Sequence, residues 1–345
     1  MPSCVIINFM LTGRNDIYLI RHGHPAIPYG HRFCLGGGTD LPLNTLGKMQ
    51  AFLLGRELHF DRCWSSCLQR ASETASFVAD EVIQNPKLGE VGTGDWEGLD
   101  FEEIMQRWPA EYAARENDRS YPIPGSENLE EARARFASVV DSLPSGSAVA
   151  AHDWVIRLYT GYDKKIPHCG YIYGGEVHQS AVPAMTPALC RELRNAAGML
   201  PHIQQHCDAV ARTALEICDE LGRNGVLLDR NLLECSCLMH DIARLERPHE
   251  DIGGKYISAI GWEDAGNIIR QHAEPDSDEI NEAAVLSTAD KITRETERVS
   301  IEQRFARFQS EEEKQKLLSV HERRLSQALR IRDEINRICG REFIQ

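Results

Sequence analysis

The sequence predicts a three-layer α/β doubly wound sheet over residues 16–178, followed by an all-α half over residues 188–345. Three observations predict it. Short β-type apolar runs alternate with helical stretches up to about residue 178, the pattern of a largely parallel sheet covered on both faces. The stretch QSAVPAMTP at 179–187 carries two prolines and no periodicity, and reads as a linker. Beyond it only helical periods recur, as with Val210, Ala214, Cys218 and Leu221 along one face.

The elements follow in order. Residues 1–15 form an N-terminal extension, and a strand covers 17–20. Asn44 is placed to cap a helix over 45–58. A second strand covers 60–66 and a helix 68–82. A helix over 128–143 leads to a strand over 147–151, which delivers His152. The next helix begins over 155–159, and a closing strand covers 171–178. In the second half, helices are expected over about 188–199, 203–222, 229–243, 248–259, 262–273, 279–297 and 311–338. The last is charge-rich, with glutamates ahead of lysines and arginines. That is the pattern of a solvated face, and it receives no function.

Bulk properties bound the function. A length of 345 residues suffices for about two domains. A 42% hydrophobic, 26% charged composition is that of a soluble globular chain. The net charge of −14 argues against nucleic acid as a partner, since broad binding needs a basic surface. It leaves room for a small positive pocket. The eleven cysteines include no C-x-x-C and mostly stand in apolar contexts, as reduced thiols of a cytoplasmic protein do. No apolar run approaches the ~20 residues of a membrane helix. The run at 5–11 lacks a basic leader and a cleavage site, so neither a membrane partner nor a signal peptide is expected. The oligomeric state stays open, a homodimer included.

Two charged pairs break apolar runs. Arg21-His22-Gly23 ends Ile17-Tyr18-Leu19-Ile20, and His240-Asp241 ends Leu232 to Met239. Buried charge needs a partner, on the protein or on a ligand. A neutral imidazole can attack phosphorus, arginines clamp phosphoryl oxygens, and a carboxylic acid protonates the leaving alkoxide. Arg21 and His22 end the first strand, Arg70 opens a helix, Glu90 precedes Gly94-Asp95-Trp96-Glu97-Gly98, and His152 ends a later strand. Ligands of parallel sheets bind beyond the strands' carboxyl ends, so these groups are placed to meet in one crevice.

In this order the first half resembles the histidine phosphatase superfamily, also called phosphoglycerate-mutase-like. The matching stretches are Arg21-His22-Gly23, Gly38 to Leu43 with Gly47, and Ser66 to Ala75. They continue through Leu88-Gly89-Glu90, Trp96-Glu97-Gly98, Gly125-Ser126-Glu127 and His152 with Val155-Ile156-Arg157. The resemblance implies a metal-independent phosphatase with His22 as nucleophile, Arg21, Arg70 and His152 as the phosphate pocket, and Glu90 as proton donor. Asp153 departs from the small-phosphatase pattern and competes with Glu90 for the acid role. Glu90 is preferred because residues 88–98 fit the small branch. Trp154 is expected to narrow the crevice. A mutase is the alternative within the family, but no dedicated phosphoglycerate pocket is evident.

His206, the His240-Asp241 pair and Asp290 supply a mixed nitrogen and oxygen set suited to Mn, Fe, Zn or Mg, and His249 and His272 suffice for a second ion. The second half resembles the HD-domain metal-dependent phosphohydrolases. The resemblance rests on His206 with Val210-Ala211, on Met239 to Ala243, and on His249 with Gly253-Gly254. It extends to Ile269 to His272 and Ala289-Asp290-Lys291. It implies His206, His240, Asp241 and Asp290 as ligands, with His249 and His272 as the extra pair. Arg244 stands where a cation holds substrate phosphate. His202 and His321 have no partner in this scheme and read as surface or cap residues. Together the halves imply a bifunctional phosphohydrolase acting on a small phosphorylated metabolite and, in the helical half, on a phosphoester such as a nucleotide. The alternative is that one half alone turns over, the helical half sensing a nucleotide or serving as a scaffold.

Overall fold

The computed structural model describes residues 13–306 and 311–344. Most of the expected extension 1–15 lies outside them. Residues 13–15 do not hang free: Arg14 N–H donates to the Tyr159 hydroxyl at 3.0 Å, and the Asn15 carbonyl accepts from Gly174 N–H at 2.7 Å. The chain divides into two compact units between Ala181 and Val182.

The first unit runs β1 (Tyr18–Arg21), α1 (Thr45–Glu57), β2 (Phe60–Ser65), α2 (Gln69–Val78), β3 (Ala79–Gln84), α3 (Phe101–Arg107), α4 (Pro109–Asn117), α5 (Leu129–Val140), β4 (Ala148–Ala151), α6 (Asp153–Thr160), β5 (Tyr171–Tyr173) and β6 (Glu176–His178). Its sheet has the order β3-β2-β4-β1-β5-β6. The first four are parallel and the last two antiparallel. Side chains alternate across each strand. Leu19 and Val149 join Phe136, Val155 and Tyr159 in one core, whereas Ile20 and Ala150 join Ala51, Leu54 and Ala75 in the other. This alternation produces the three layers. Asn44 caps α1 as expected, its side chain accepting from Gly47 N–H at 2.8 Å.

Three expectations for this unit are corrected. The helix over 68–82 stops at Val78, and Ala79–Gln84 is an edge strand pairing Val82 with Cys63 and Ile83 with Trp64. No breaker separates the two; cross-strand packing of the β-branched pair decides. The closing strand is two strands, turned at Gly174 and Gly175 with φ of 63° and 83°. Only glycine takes that pair of conformations without strain, and it gives the tight hairpin twist. Helices α3 and α4 are additions to the expected set; with Trp96 and Ile123 they close a small separate core.

The second unit runs α7 (Pro187–Ala197), α8 (Pro201–Arg223), α9 (Arg230–Met239), α10 (His249–Ala259), α11 (Glu263–Arg270), α12 (Glu282–Lys291), β7 (Thr293–Arg294), β8 (Glu297–Arg298), α13 (Ile301–Phe305) and α14 (Glu311–Cys339). Thr186 caps α7 and Pro187 fills its first turn, where no N–H is required. The helix expected over 279–297 ends at Lys291, and a two-strand hairpin with Glu295 at φ 54° follows. The helix expected over 229–243 ends at Met239, leaving His240-Asp241 in the turn beyond it. Both departures shape the second site. No helix among the described residues is long and apolar enough to cross a membrane.

Candidate active sites

The residues expected at the first site gather at the carboxyl edge of the parallel strands. β1 and β4 pair with Arg21 beside Ala151, so His22 and His152 emerge next to each other. Their ring centroids are 5.1 Å apart. Arg70 lies in the first turn of α2, directly after β2, and Glu90 follows a 3-10 turn (Pro86–Leu88) beyond β3. Arg21, His22, Arg70, Glu90 and His152 are all buried. Close backbone packing holds the loop after His22. A Cβ on Gly47 would collide with the His24 carbonyl, and one on Gly23 would sit 2.6 Å from that of Gly47.

His22 Nδ1 lies 2.7 Å from the Gly23 carbonyl. A carbonyl only accepts, so Nδ1 carries the proton and Nε2 keeps its lone pair. Burial, reinforced by the His152 ring and the Arg70 guanidinium, pushes His22 well below the ordinary imidazole range. Burial beside Arg70 and Arg21 does the same to His152. Both shifts favour the neutral ring.

Arg70 donates to the carbonyls of Thr39 at 2.6 Å and Gly36 at 3.0 Å. Arg21 donates to the Ile166 carbonyl and, at 3.3 Å, to His168 Nε2. Arg21 Nε, Arg70 Nε and both ring nitrogens of His152 are buried without a protein partner. Buried polar atoms seldom stay unmatched, and an anion entering here would match these.

The two competing acids sit differently. Glu90 accepts from Val91 and Val155 N–H, both at 2.9 Å, and from Trp154 N–H at 3.1 Å, at the start of α6. Burial still raises its pKa above the usual carboxyl value, against those hydrogen bonds and the Arg70 charge. Asp153 instead accepts from Ile166 N–H at 2.8 Å and lies 3.5 Å from Arg157. It ties down the following loop. Trp154 is covered by the Arg115 guanidinium at 4.3 Å from its ring.

The second set comes together equally well. His206, His240 and Asp290 offer ligand atoms within 4.8 Å of one another, and so do Asp241, His249 and His272. Three of the imidazoles are locked in one tautomer. His240 Nδ1 faces the Cys237 carbonyl at 2.8 Å, His272 Nδ1 that of Ile269 at 2.7 Å, and His206 Nδ1 that of Glu295 at 3.0 Å. Each Nδ1 is therefore a donor, and each Nε2 is the atom left to serve as a ligand. His240 and His272 use carbonyls of the helix end just before them. His206 needs the unexpected hairpin, which brings Glu295 to it. His240 Nε2 is buried and unpartnered, and His206 Nε2 is 3.0 Å from Asp290. Burial works against charge on Asp290 and Asp241, but with no ion bound the hydrogen bonds of His206 and His249 and the positive charge of His240 outweigh it and hold both carboxyls below the usual range. The donor set and its preset tautomers fit a divalent ion.

Comparison with known proteins agrees with both halves. Residues 17–169 match the histidine phosphatase superfamily (branch 1), and residues 203–295 match the HD domain. The chain is a histidine phosphatase domain followed by an HD domain. The phosphatase domain is 30% identical over 177 residues to a 6-phosphofructo-2-kinase/fructose-2,6-bisphosphatase of Gallus gallus, covering 48% of this chain and 37% of that protein. It is 35% identical over 149 residues to the fructose-2,6-bisphosphatase TIGAR B of Danio rerio, covering 40% and 54%. The chain thus spans about a third to a half of these curated relatives. A phosphoglycerate mutase from Thermus thermophilus is 28% identical, with 45% of this chain and 90% of that one covered at a TM-score of 0.39.

Two positions beside the candidate sites escape a reading of the sequence. In the phosphatase domain, His168 touches both Arg21 and the main chain of His22; it stands in a loop with no periodicity to mark it. In the HD domain, His321 reads from sequence as a surface or cap residue, yet with Arg324 it lines the cavity beside the candidate metal ligands. Arg244 lies 3.5 Å from Asp241 and 3.1 Å from His249 Nε2, at the edge of the same cavity. His202 is exposed.

Proposed function

We propose that the chain is a bifunctional phosphohydrolase. Its phosphatase domain removes phosphate from a small phosphorylated metabolite through a phosphohistidine. His22 Nε2 bonds to phosphorus as the ester P–O bond breaks, and protonated Glu90 gives its proton to the departing oxygen. Water then attacks the phosphohistidine, its proton passes to Glu90, and the P–N bond breaks to release phosphate and neutral His22. Arg21, Arg70 and His152 hold the phosphoryl oxygens throughout. The observation that carries this reading is His22 with its Nδ1 on the Gly23 carbonyl, which leaves Nε2 for attack, set in a cradle of unmatched guanidinium and imidazole nitrogens. The names of the curated relatives support a sugar phosphate as the first compound to screen.

In the HD domain, His206, His240, Asp241 and Asp290, with His249 and His272, would hold one or two divalent ions. Such an ion supplies positive charge beside the phosphoryl oxygens and acidifies water. Arg244 would orient the phosphate of a phosphoester, and a nucleotide is the substrate class proposed.

The phosphatase assignment is tested with an aryl phosphate. His22→Ala should abolish its hydrolysis, and chelator should leave it unchanged. Activity that survives the substitution and vanishes with chelator would overturn the reading.

A further inference from the structure

The cavity beside the candidate metal ligands measures about 350 Å³ and is lined on part of its surface by His249, His272 and Asp290. A phosphoryl group at the ligands would leave most of it for the rest of a substrate. What lines the remainder therefore selects the alcohol.

Arg244, Glu250, Ala273 and Lys291 supply part of that lining from within the matched HD stretch, which ends at residue 295, and the rest comes from beyond it. Helix α13 contributes Arg304 and Phe305, and α14 contributes Val320, His321 and Arg324. Arg304 lies 3.5 Å from Asp290, so its guanidinium reaches the ligand edge. Arg324 is 3.3 Å from Glu274 and 4.0 Å from Glu250. These contacts occupy part of each planar fork and leave further donors. Phe305 and His321 meet edge to face, with centroids 5.0 Å apart. Guanidinium donors beside an aromatic pair suit a ligand with phosphate at one end and a flat ring at the other.

The geometry points to α13 and α14 as a specificity wall of the HD site. It accepts phosphomonoesters whose alcohol carries a flat heteroaromatic ring, a nucleoside monophosphate by class. Phe305 and His321 take the ring, and Arg304 and Arg324 the phosphate side. The inference rests on the reading of the HD domain as a phosphohydrolase. It also gives the charge-rich last helix a role its sequence does not suggest.

The test uses the full chain carrying His22→Ala, with chelator present so that nothing is turned over. Calorimetric titration compares adenosine 5′-monophosphate with ribose 5-phosphate. The nucleotide should bind about tenfold tighter or more. Phe305→Leu, which keeps apolar volume but loses the ring, should shrink that gap below threefold and leave ribose 5-phosphate unchanged; His321→Gln reads the same contact if Phe305→Leu melts early. Arg324→Gln should weaken both ligands alike. Equal binding of the two ligands, or a gap that persists in both ring variants, overturns the wall. Metal content and manganese-supported turnover of the nucleotide are measured separately. Their absence with the gap intact sinks the hydrolase reading alone, and their presence without the gap sinks the wall alone.

Discussion

His168 donates its Nδ1–H to the main-chain carbonyl of His22 across 3.1 Å. Its other nitrogen accepts from the Arg21 guanidinium at 3.3 Å. One ring thus ties the backbone of the proposed nucleophile to a proposed phosphate clamp. Burial beside Arg21 pushes its pKa down to about 2, so it stays an acceptor for Arg21 across the working pH range. We expect His168→Ala to lower kcat/KM by about 10- to 100-fold, since a slight misplacement of reacting groups costs that much. His168→Gln, which can still reach Arg21, should recover affinity for inorganic phosphate; His168→Asn, which keeps only the inner bond, should not. Wild-type kinetics in the alanine variant would show the contact to be incidental.

Glu90 and Asp153 are separated by leaving group. Glu90→Gln should cost about 10²- to 10⁴-fold on an alkyl phosphate and little on an aryl phosphate whose phenoxide leaves unaided. The nucleophile must be unprotonated and the donor protonated. With His22 lowered and Glu90 raised, alkyl-phosphate hydrolysis should be bell-shaped in pH, and Glu90→Gln should remove its alkaline limb. Asp153→Asn should keep the limb and lower the melting temperature instead. Reversed results would give the acid role to Asp153.

Acid should unfold the phosphatase domain early. His22, His24, His152 and His168 all have folded pKa values below the ordinary 6.5. Below pH 6.5 the unfolded chain therefore binds protons that the native state refuses, and stability falls with pH. Glu90 acts oppositely, because its folded pKa is raised. Four imidazoles less one carboxyl leave a net three protons, a slope of about 4 kcal/mol per pH unit. Urea melts at pH 7.5 and 5.5, followed by tryptophan fluorescence in Trp262→Phe, would read the phosphatase domain alone, because the other four tryptophans lie there. An unchanged or higher midpoint at pH 5.5 would mean the rings are not held neutral.

Elemental analysis of purified protein should find about one or two divalent ions per chain, lost in Asp241→Ala. An ion that binds only the folded state stabilises it, by about 2.7 kcal/mol at a hundred times its dissociation constant. Chelator should accordingly lower the HD domain's melting temperature, and added manganese should restore it. Metal-free protein with an unchanged melting curve would point to a scaffold.

Much of this is legible in the chain. An apolar run that ends in Arg21-His22, or in His240-Asp241, cannot be explained by packing, so the sites announce themselves. Caps such as Asn44 and the alternation of β1 and β4 are local signals that specify the layers. The Gly174-Gly175 turn is a local signal too, and a single strand over 171–178 overlooks it. The strand Ala79–Gln84 is not legible, because nothing local stops α2 and only pairing with β2 makes it a strand.

What the sequence by itself determined is the set of reactive groups and their order along two kinds of domain, because periodicity and capping act over a few residues. What only the tertiary structure decided is protonation and partnership. Glu90 is the raised acid because folding buries it, against the N–H groups of Trp154 and Val155 that reach it from 64 and 65 residues away, whereas Asp153 is tied to Ile166 N–H. The ligand tautomer of His206 comes from Glu295, 89 residues on. Burial and hydrogen bonding set these states, and both are made by neighbours that are adjacent only after folding.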